Sequence, residues 1–209
     1  AAFFSVRRVL PEEKGRPMDR EERRRLTRKT RDFFDALAPR WEGIIADGHA
    51  ERLRALLSPV LFDGARRVLD VGAGSGVLWP ILRERLGGRA LLAAVDLSAA
   101  MLKQGPADAA APLVADGEEL PFGDGAFDWV FCNSCFPHFT DQGAALAEMR
   151  RVLAPGGTLA VCHSESRAAI NEIHRQTGGQ VGGHELPEDG EMTGMAARAG
   201  QLEIGRAHV

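Results

Sequence analysis

The sequence predicts an α/β protein in which an N-terminal helical cap precedes a doubly wound, mainly parallel sheet of at least five strands. Short apolar runs alternate along the chain with segments that carry apolar residues at helical spacing. Such alternation is typical of strands joined by helical crossovers, which makes neighbouring strands parallel. Three of the apolar runs end in an acid, at Asp70, Asp96 and Asp116. Because ligands of parallel sheets bind at the carboxyl ends of the strands, we expect these aspartates to converge on one site.

The first of these runs leads directly into a glycine-rich loop. Residues 68–71 are typical of a buried strand, and Gly72, Gly74 and Gly76 follow at every second position. Glycines permit a tight turn that a ligand can approach closely. Residues 77–86 then have helical spacing, so the free N–H groups at the start of this helix can bind an anionic group. A simple tight turn in an α/β protein is the alternative.

The remaining elements follow from the same periodicities. Further strands are predicted at residues 90–96, 113–116, 127–133 and 158–162. Helices are predicted at residues 19–41, 50–61, 99–104, 141–153, 167–176 and 189–200. The predicted organisation is a poorly defined segment at 1–17, a helical cap at 18–65 and the main α/β domain at 66–202. Residues 203–209 read like a translated sequencing adapter, and we expect them to be a non-native tail.

Composition limits the classes of function. The chain has 209 residues and a formal net charge of -3, which gives no overall case for nucleic-acid binding. No apolar run reaches the length that spans a bilayer. Three cysteines without a secretory signal favour free thiols in a reducing compartment, so we expect a cytoplasmic protein.

The glycine spacing and four later segments point to one family. Asp70 with Gly72, Gly74 and Gly76 resembles motif I of the class I S-adenosylmethionine-dependent methyltransferases, whereas a dinucleotide fingerprint would need a glycine at Val77. Similar later motifs lie, in the family's order, at residues 95–101, 116–122, 127–130 and 151–159. Residues 33–41 are similar to the leader of small-molecule methyltransferases of the quinone-biosynthesis type.

The resemblance implies a Rossmann-like fold, S-adenosylmethionine as cofactor and a small-molecule methyl acceptor. The family sheet has seven strands, and its last two strands, an antiparallel pair, have no counterpart after residue 162. We therefore expect an exposed edge on the fifth strand, or an exposed apolar helix face beside it. The cofactor-binding residues that the resemblance implies are Asp70, Gly72, Ala73, Gly74, Gly76, Asp96, Leu97, Met101, Asp116, Gly117 and Asn133.

The aspartates have distinct expected roles. A carboxylate at the end of the second strand can accept hydrogen bonds from both ribose hydroxyls, so Asp96 is the expected ribose ligand. Asp116 is implied to accept from the adenine amino group, with capping of a turn as its alternative role. The amino group of the cofactor would meet either Asp70 or the carbonyl of Asn133. Asp70 could instead orient the loop amides by hydrogen bonds.

His138 is the candidate catalytic base. Methyl transfer from a sulfonium needs alignment and, for some acceptors, a base. His138 lies in the loop after the fourth strand, and histidine is the side chain whose ordinary pKa lies near neutrality. A structural or substrate-shaping role is equally open, and His163 is a second candidate.

Three further features admit different functions. Cys132 and Cys135 form a C-x-x-C pair, which we interpret as small core residues because no second pair completes a metal site, so no metal is expected. The predicted first helix is rich in arginine, which suggests either a solvated face or a nucleic-acid contact, and the latter is the basis for an alternative function as a nucleic-acid methyltransferase. The glycine loop would also suit a nicotinamide-dependent oxidoreductase, or a module that binds the cofactor without transferring a methyl group.

Overall fold

The computed structural model describes residues 19–45, 47–62, 64–88 and 90–199. The predicted segment 1–17 and the predicted tail 203–209 lie outside the described residues, so the predicted domain boundaries stay predictions. Within the described part, five strands form one sheet: β1 (Arg67–Val71), β2 (Leu91–Asp96), β3 (Ala111–Val114), β4 (Phe127–Asn133) and β5 (Leu153–Cys162).

Seven α-helices accompany the strands in the described residues. They are α1 (Arg20–Leu37), α2 (His49–Leu57), α3 (Leu78–Leu86), α4 (Ala99–Leu102), α5 (Gln142–Val152), α6 (Arg167–Thr177) and α7 (Asp189–Arg198). Short 3-10 turns occupy Ala38–Gly43 and Phe136–His138. Among the helices that the structure describes, none combines the length and the apolar character needed to cross a membrane.

The sheet has the strand order β3-β2-β1-β4-β5, and every neighbouring pair is parallel. This confirms the predicted α/β class. The chain leaves β1 toward β2 on one side and returns to β4 on the other, so the order reverses beside β1. Crevices at such switch points are where ligands bind in open parallel sheets. The glycine loop that follows β1 lies at this point.

Each face of the sheet has its own apolar core, as expected for a doubly wound fold. On one face, Leu53 of α2 and Leu82 of α3 pack against Val68 of β1. On the other, Met149 of α5 and Met192 of α7 belong to the core that contains Leu69, Val71 and Val130. Successive side chains of a strand point to opposite faces, which is why Val68 and Leu69 enter different cores.

Several element boundaries differ from the predictions. β3 begins at Ala111 and ends at Val114, so Ala115 and Asp116 lie in the following loop. The helix predicted to Trp41 stops at Leu37, two residues before Pro39, which has no N–H to continue the helical bonding.

The largest boundary difference concerns the fifth strand. The strand predicted at residues 158–162 begins five residues earlier, because Leu153 already pairs with Phe127, and Thr158 pairs with Trp129 after a bulge. In the described residues β5 forms one edge of the sheet, yet the side chains of its last four residues, 159–162, are buried. β5 therefore lies at an edge of the described sheet, as predicted, although the side chains at its end are buried.

Candidate active site

A cavity of about 280 Å³ opens above the carboxyl ends of β1, β2 and β4. This volume is close to the lower end of the range for small-molecule sites, roughly 300–1,000 Å³. One half of its wall comes from the loops after the strands and the other from the cap and α6. The predicted site residues that line the cavity are Gly72, Ala73, Gly74, Asp96, Leu97, Met101, Gly117, Asn133 and His138. Asp70, Gly76 and Asp116 do not line it.

The glycine loop is held by hydrogen bonds to β2. The amides of Gly72 and Ala73 donate to the carbonyl of Val95 at 2.8 and 3.0 Å, and the Gly74 amide donates to Asp96 Oδ2 at 2.8 Å. Gly72 has φ of 70°, and a Cβ there would lie 2.0 Å from Cys135 Sγ. Only glycine satisfies both constraints, so the loop backbone itself forms the cavity wall.

Asp96 connects the loop to the next helix. Its Oδ1 accepts from the Ser98 amide at 2.8 Å, while Oδ2 accepts from Gly74. Burial raises the pKa of Asp96, and these two backbone hydrogen bonds oppose the shift by favouring the ionised form. Each carboxylate oxygen keeps a lone pair for a further donor, which is the capacity that a ribose diol requires.

Asp70 lies beneath the loop rather than beside the cavity. Its side chain is 1% exposed, and Oδ2 accepts a hydrogen bond from Trp79 Nε1 at 3.2 Å. Oδ1 has no hydrogen-bond partner, and burial raises the pKa of Asp70 to about 7. Asp70 does not orient the loop amides, because these amides donate to Val95 and Asp96.

Asp116 caps a turn. Its Oδ1 accepts from the Glu118 amide at 2.9 Å, and burial raises its pKa. The adjacent Gly117 does line the cavity, and a Cβ there would lie 2.6 Å from the Phe139 ring. Contact between Asp116 and an adenine amino group stays a prediction.

The comparisons with known proteins agree with this geometry. Residues 69–161 match the family model described as a methyltransferase domain. The chain is 33% identical over 190 residues to the malonyl-[acyl-carrier protein] O-methyltransferase of Geobacter sulfurreducens, a match that covers 83% of this chain and 70% of the relative. It is 37% identical over 139 residues to the demethylmenaquinone methyltransferase of Thermus thermophilus, covering 62% of this chain and 63% of the relative.

This chain belongs to the class I S-adenosylmethionine-dependent methyltransferases. The Geobacter relative decides it, because the similarity extends over more than two thirds of both chains. Among solved structures, the fold is similar to a SAM-dependent methyltransferase from Thermotoga maritima, with a TM-score of 0.65 at 17% identity over 84% of this chain and 92% of that one. The predicted family and its cofactor are thereby confirmed, and an oxidoreductase function is not supported.

The residues of this methyltransferase fit S-adenosylmethionine. When bound, this cofactor supplies a methyl group on a positively charged sulfonium. In the described residues no lysine or arginine side chain lines the cavity, whereas the carboxylate of Asp96 does. Glu165 also lines the cavity, but its charge is balanced by Arg52 at 2.8 Å. The charge of Asp96 therefore favours a cation there. The pyrophosphate of a nicotinamide dinucleotide would meet no cationic side chain in this part of the chain.

The loop after β4 closes the floor of the methyltransferase cavity. Ser134 has φ of 53°, a strained conformation for a residue with a side chain, and such strain is concentrated at functional sites. Cys132 is fully buried as predicted, and burial raises the pKa of its thiol. Cys135 differs from the prediction, since it lines the cavity beside Gly72.

His138, also in this loop, contacts two histidines that are distant in sequence. Its Nδ1 lies 3.0 Å from His184 Nδ1, and its ring centroid lies 4.9 Å from that of His174. Burial lowers the pKa of His138 well below its ordinary value. His163, the second predicted candidate, is buried with both ring nitrogens unpartnered, and burial lowers its pKa to about 3.

The sequence does not indicate that His174 and His184 lie beside His138. No group of three or more histidine, cysteine or acidic side chains in the described residues has the arrangement of a metal site. One signal could have identified His174: Ile170, Ile173 and His174 share one face of α6, and all three line the cavity.

The cap forms the wall opposite the glycine loop. Phe34 and Trp41 face the cavity, and their ring centroids are 6.0 Å apart. The arginine-rich helix is partly neutralised within the protein, since Arg23 contacts Asp141 at 2.8 Å and Glu118 at 3.7 Å, and Arg31 pairs with Asp32. These ion pairs favour the interpretation of α1 as a docked, solvated helix.

Proposed function

We propose that this methyltransferase methylates a neutral small molecule that carries a hydroxylated aromatic ring, such as a quinol or a phenol. The observation that carries the proposal is the composition of the acceptor half of the cavity. Its wall consists mainly of aromatic and aliphatic side chains, namely Phe34, Trp41, Ile44, Ile45, Ile170 and Ile173. Flat apolar rings pack well against such a wall, and burial of their surface provides the binding free energy.

The demethylmenaquinone methyltransferases among the relatives support this choice of acceptor. Their name identifies a ring compound as substrate, and the match to the Thermus relative is 37% identical. Since the chain spans 63% of that relative and 46% of the one from Mycolicibacterium vanbaalenii, the acceptor is carried over only as a proposal.

A malonyl thioester is the second candidate, because the Geobacter relative is named for it. Its free carboxylate would enter the cavity as an anion, and a buried anion needs a counter-charge. Among the described residues the lining offers no lysine or arginine, and Arg52, which contacts the lining residue Glu165, is already paired with it at 2.8 Å. The charge balance therefore favours the neutral ring.

Nucleic acid is not proposed as the acceptor, because Arg23 and Arg31 of the basic helix are engaged in internal ion pairs. The cytoplasmic location expected from three cysteines stays a prediction, and all three are free thiols in the structure.

The proposal is tested with S-adenosylmethionine labelled in its methyl group. The protein is incubated separately with a reduced 1,4-naphthoquinol, with its dimethyl ether, which has no hydroxyl, and with a malonyl thioester. We expect label to enter the naphthoquinol and neither of the other two compounds. Label in the malonyl thioester alone would overturn the proposal in favour of the second candidate, and label in none of them would overturn the hydroxylated ring.

A further inference from the structure

We propose that His174 of α6 is the catalytic base that removes the hydroxyl proton of the methyl acceptor. This inference rests on the proposed function, because it requires an acceptor with a ring hydroxyl. The sequence-based candidates were His138 and His163. The contacts of the three histidine rings favour His174 instead.

His174 is placed at the acceptor side of the cavity. It lines the wall together with Ile170 and Ile173, on the same face of α6. Its ring lies 4.9 Å from that of His138, which lines the cavity from the loop after β4. An acceptor that packs against the isoleucines of α6 therefore lies next to an imidazole on the same helix.

A backbone contact sets the protonation of the His174 ring. Nδ1 of His174 is hydrogen-bonded to the main-chain carbonyl of His184. A carbonyl can only accept, so Nδ1 must carry the hydrogen and the neutral ring has its lone pair on Nε2. Once Nε2 has taken a proton, the same carbonyl stabilises the imidazolium, because a charge-assisted hydrogen bond is stronger than a neutral one. This is the arrangement that a general base requires.

The other histidines lack that arrangement. His138 meets His184 through two Nδ1 atoms, and since an imidazole can donate or accept, this contact does not fix which nitrogen of His138 is free. Neither ring nitrogen of His163 has a partner that would stabilise an imidazolium. Burial holds the pKa of both groups well below the ordinary value, which makes them weak proton acceptors near neutrality.

Three other histidines lie near the His174 ring. The titratable groups against its ring come from three other segments: His138 after β4, His163 after β5 and His184 after α6. Burial lowers the pKa of each of them, so they stay neutral and do not repel an arriving proton. Its neighbours on α6, Glu172 and Arg175, are half-exposed and pair with each other at 2.9 Å.

The proposed step is balanced in atoms and electrons. The acceptor O–H bond breaks, and the proton goes to Nε2 of His174. The electron pair left on oxygen forms the bond to the methyl group, while the pair of the cleaved carbon–sulfur bond stays on sulfur. If the methyl group goes to the neighbouring ring carbon instead, a π electron pair of the ring forms the carbon–carbon bond and the electron pair on oxygen forms a carbonyl. That carbon then loses its hydrogen as a proton to solvent, and the His174 imidazolium returns a proton to the oxygen, which restores the hydroxyl.

The test compares His174→Asn with wild type, because asparagine can still donate to the His184 carbonyl but cannot act as a base. We expect kcat for naphthoquinol to fall by about 100-fold, in the range of general-base catalysis, with the dissociation constant of S-adenosylmethionine unchanged. Gln176→Asn, on the exposed face of the same helix, is the matched control and should behave as wild type.

A second substrate separates catalysis from structure. A nitro-substituted naphthol that is already ionised at the assay pH does not need a base. Its charge weakens binding to wild type and to His174→Asn alike, so the readout is kcat at saturating concentration, which should differ less than about threefold between the two proteins. An equal loss with both substrates, or no loss with either, would overturn the role of His174. If wild type methylates neither the naphthoquinol nor the naphthol, the proposed acceptor is overturned and this inference with it. If His174→Asn does not fold, His174→Ala, whose small side chain leaves room for a free imidazole, replaces it, and absence of rescue by added imidazole counts against the proposal.

Discussion

Asp35 in the cap accepts a hydrogen bond from the Ser98 hydroxyl at 2.5 Å, at the start of the helix that follows β2. The Ser98 amide in turn donates to Asp96 Oδ1 at 2.8 Å. The cap is therefore joined, through one serine, to the carboxylate that is the expected ribose ligand. Ser98 thus contacts both α1 and Asp96. Docking of the cap and binding of the cofactor should therefore be energetically coupled.

Removal of this contact should weaken cofactor binding from a distance. In Asp35→Ala, Ser98 loses its acceptor, and we expect the dissociation constant of S-adenosylmethionine to rise by roughly 5- to 10-fold, since one hydrogen bond contributes about 1 kcal/mol. Isothermal titration calorimetry measures this change. Asp32→Ala, which removes an exposed carboxylate paired with Arg31 on the same helix, is the control and should bind as wild type. Equal affinities for the two variants would show that the cap and the cofactor site are independent.

Asp70 should make the stability of the protein depend on pH. Its pKa is raised by burial from 3.8 to about 7, so between these values the folded state holds a proton that the unfolded state has lost. Stability from this group is complete at low pH and is lost as the pH rises toward 7. Asp70→Asn keeps an oxygen for the Trp79 indole and cannot ionise.

The free energy of unfolding of Asp70→Asn, relative to wild type, should therefore increase from pH 4 to pH 7 by up to about 4 kcal/mol. Urea unfolding at several pH values measures the difference. Other shifted groups, among them Glu118, whose pKa burial raises to about 7, are present in both proteins and cancel. A difference that stays constant with pH would contradict the assignment of a buried, protonated Asp70.

Phe34 should contribute to acceptor binding and not to cofactor binding. It lines the cavity and packs edge-to-face on His138 with ring centroids 5.0 Å apart. In Phe34→Ala the acceptor loses an aromatic wall, and we expect KM for naphthoquinol to rise by roughly 10-fold with the affinity for S-adenosylmethionine unchanged. Phe33→Ala removes the adjacent ring, which does not line the cavity, and serves as the control in steady-state kinetics. A loss of cofactor affinity in Phe34→Ala would contradict the assignment of Phe34 to the acceptor side of the cavity.

Local signals predict most of the residues that line the cavity at the strand ends, while their contacts with the cofactor stay predictions. Gly72 and Gly74 directly follow a predicted strand and Asp96 ends the next one, and topology alone brings such positions to one edge of the sheet. The predicted start of β3 is wrong. All four residues of this strand are exposed, so its sequence shows no alternation of buried and exposed positions that would mark where the strand begins. The fifth strand is predicted to start too late because Pro155 and two glycines indicate a turn, whereas pairing of Leu153 with Phe127 extends the strand through them.

The acceptor half cannot be predicted from the sequence, because it depends on contacts between distant residues. His138 and His184 are 46 positions apart, and no sequence pattern joins them. The sequence also does not predict the hydrogen-bond partner of Asp70, because only the packing of α3 brings the Trp79 indole to its carboxylate.

Calorimetric titration of Asp96→Asn tests the central claim, that the cavity holds S-adenosylmethionine on the carboxylate at the end of β2. The amide cannot accept from Gly74 and Ser98 and also from a ribose diol, so we expect 1:1 binding to wild type and at least about a 50-fold weaker dissociation constant in the variant. Asp124→Asn, an exposed carboxylate paired with Arg151, should bind as wild type. An unchanged affinity in Asp96→Asn, or binding of NAD to wild type as tightly as S-adenosylmethionine, would contradict the claim.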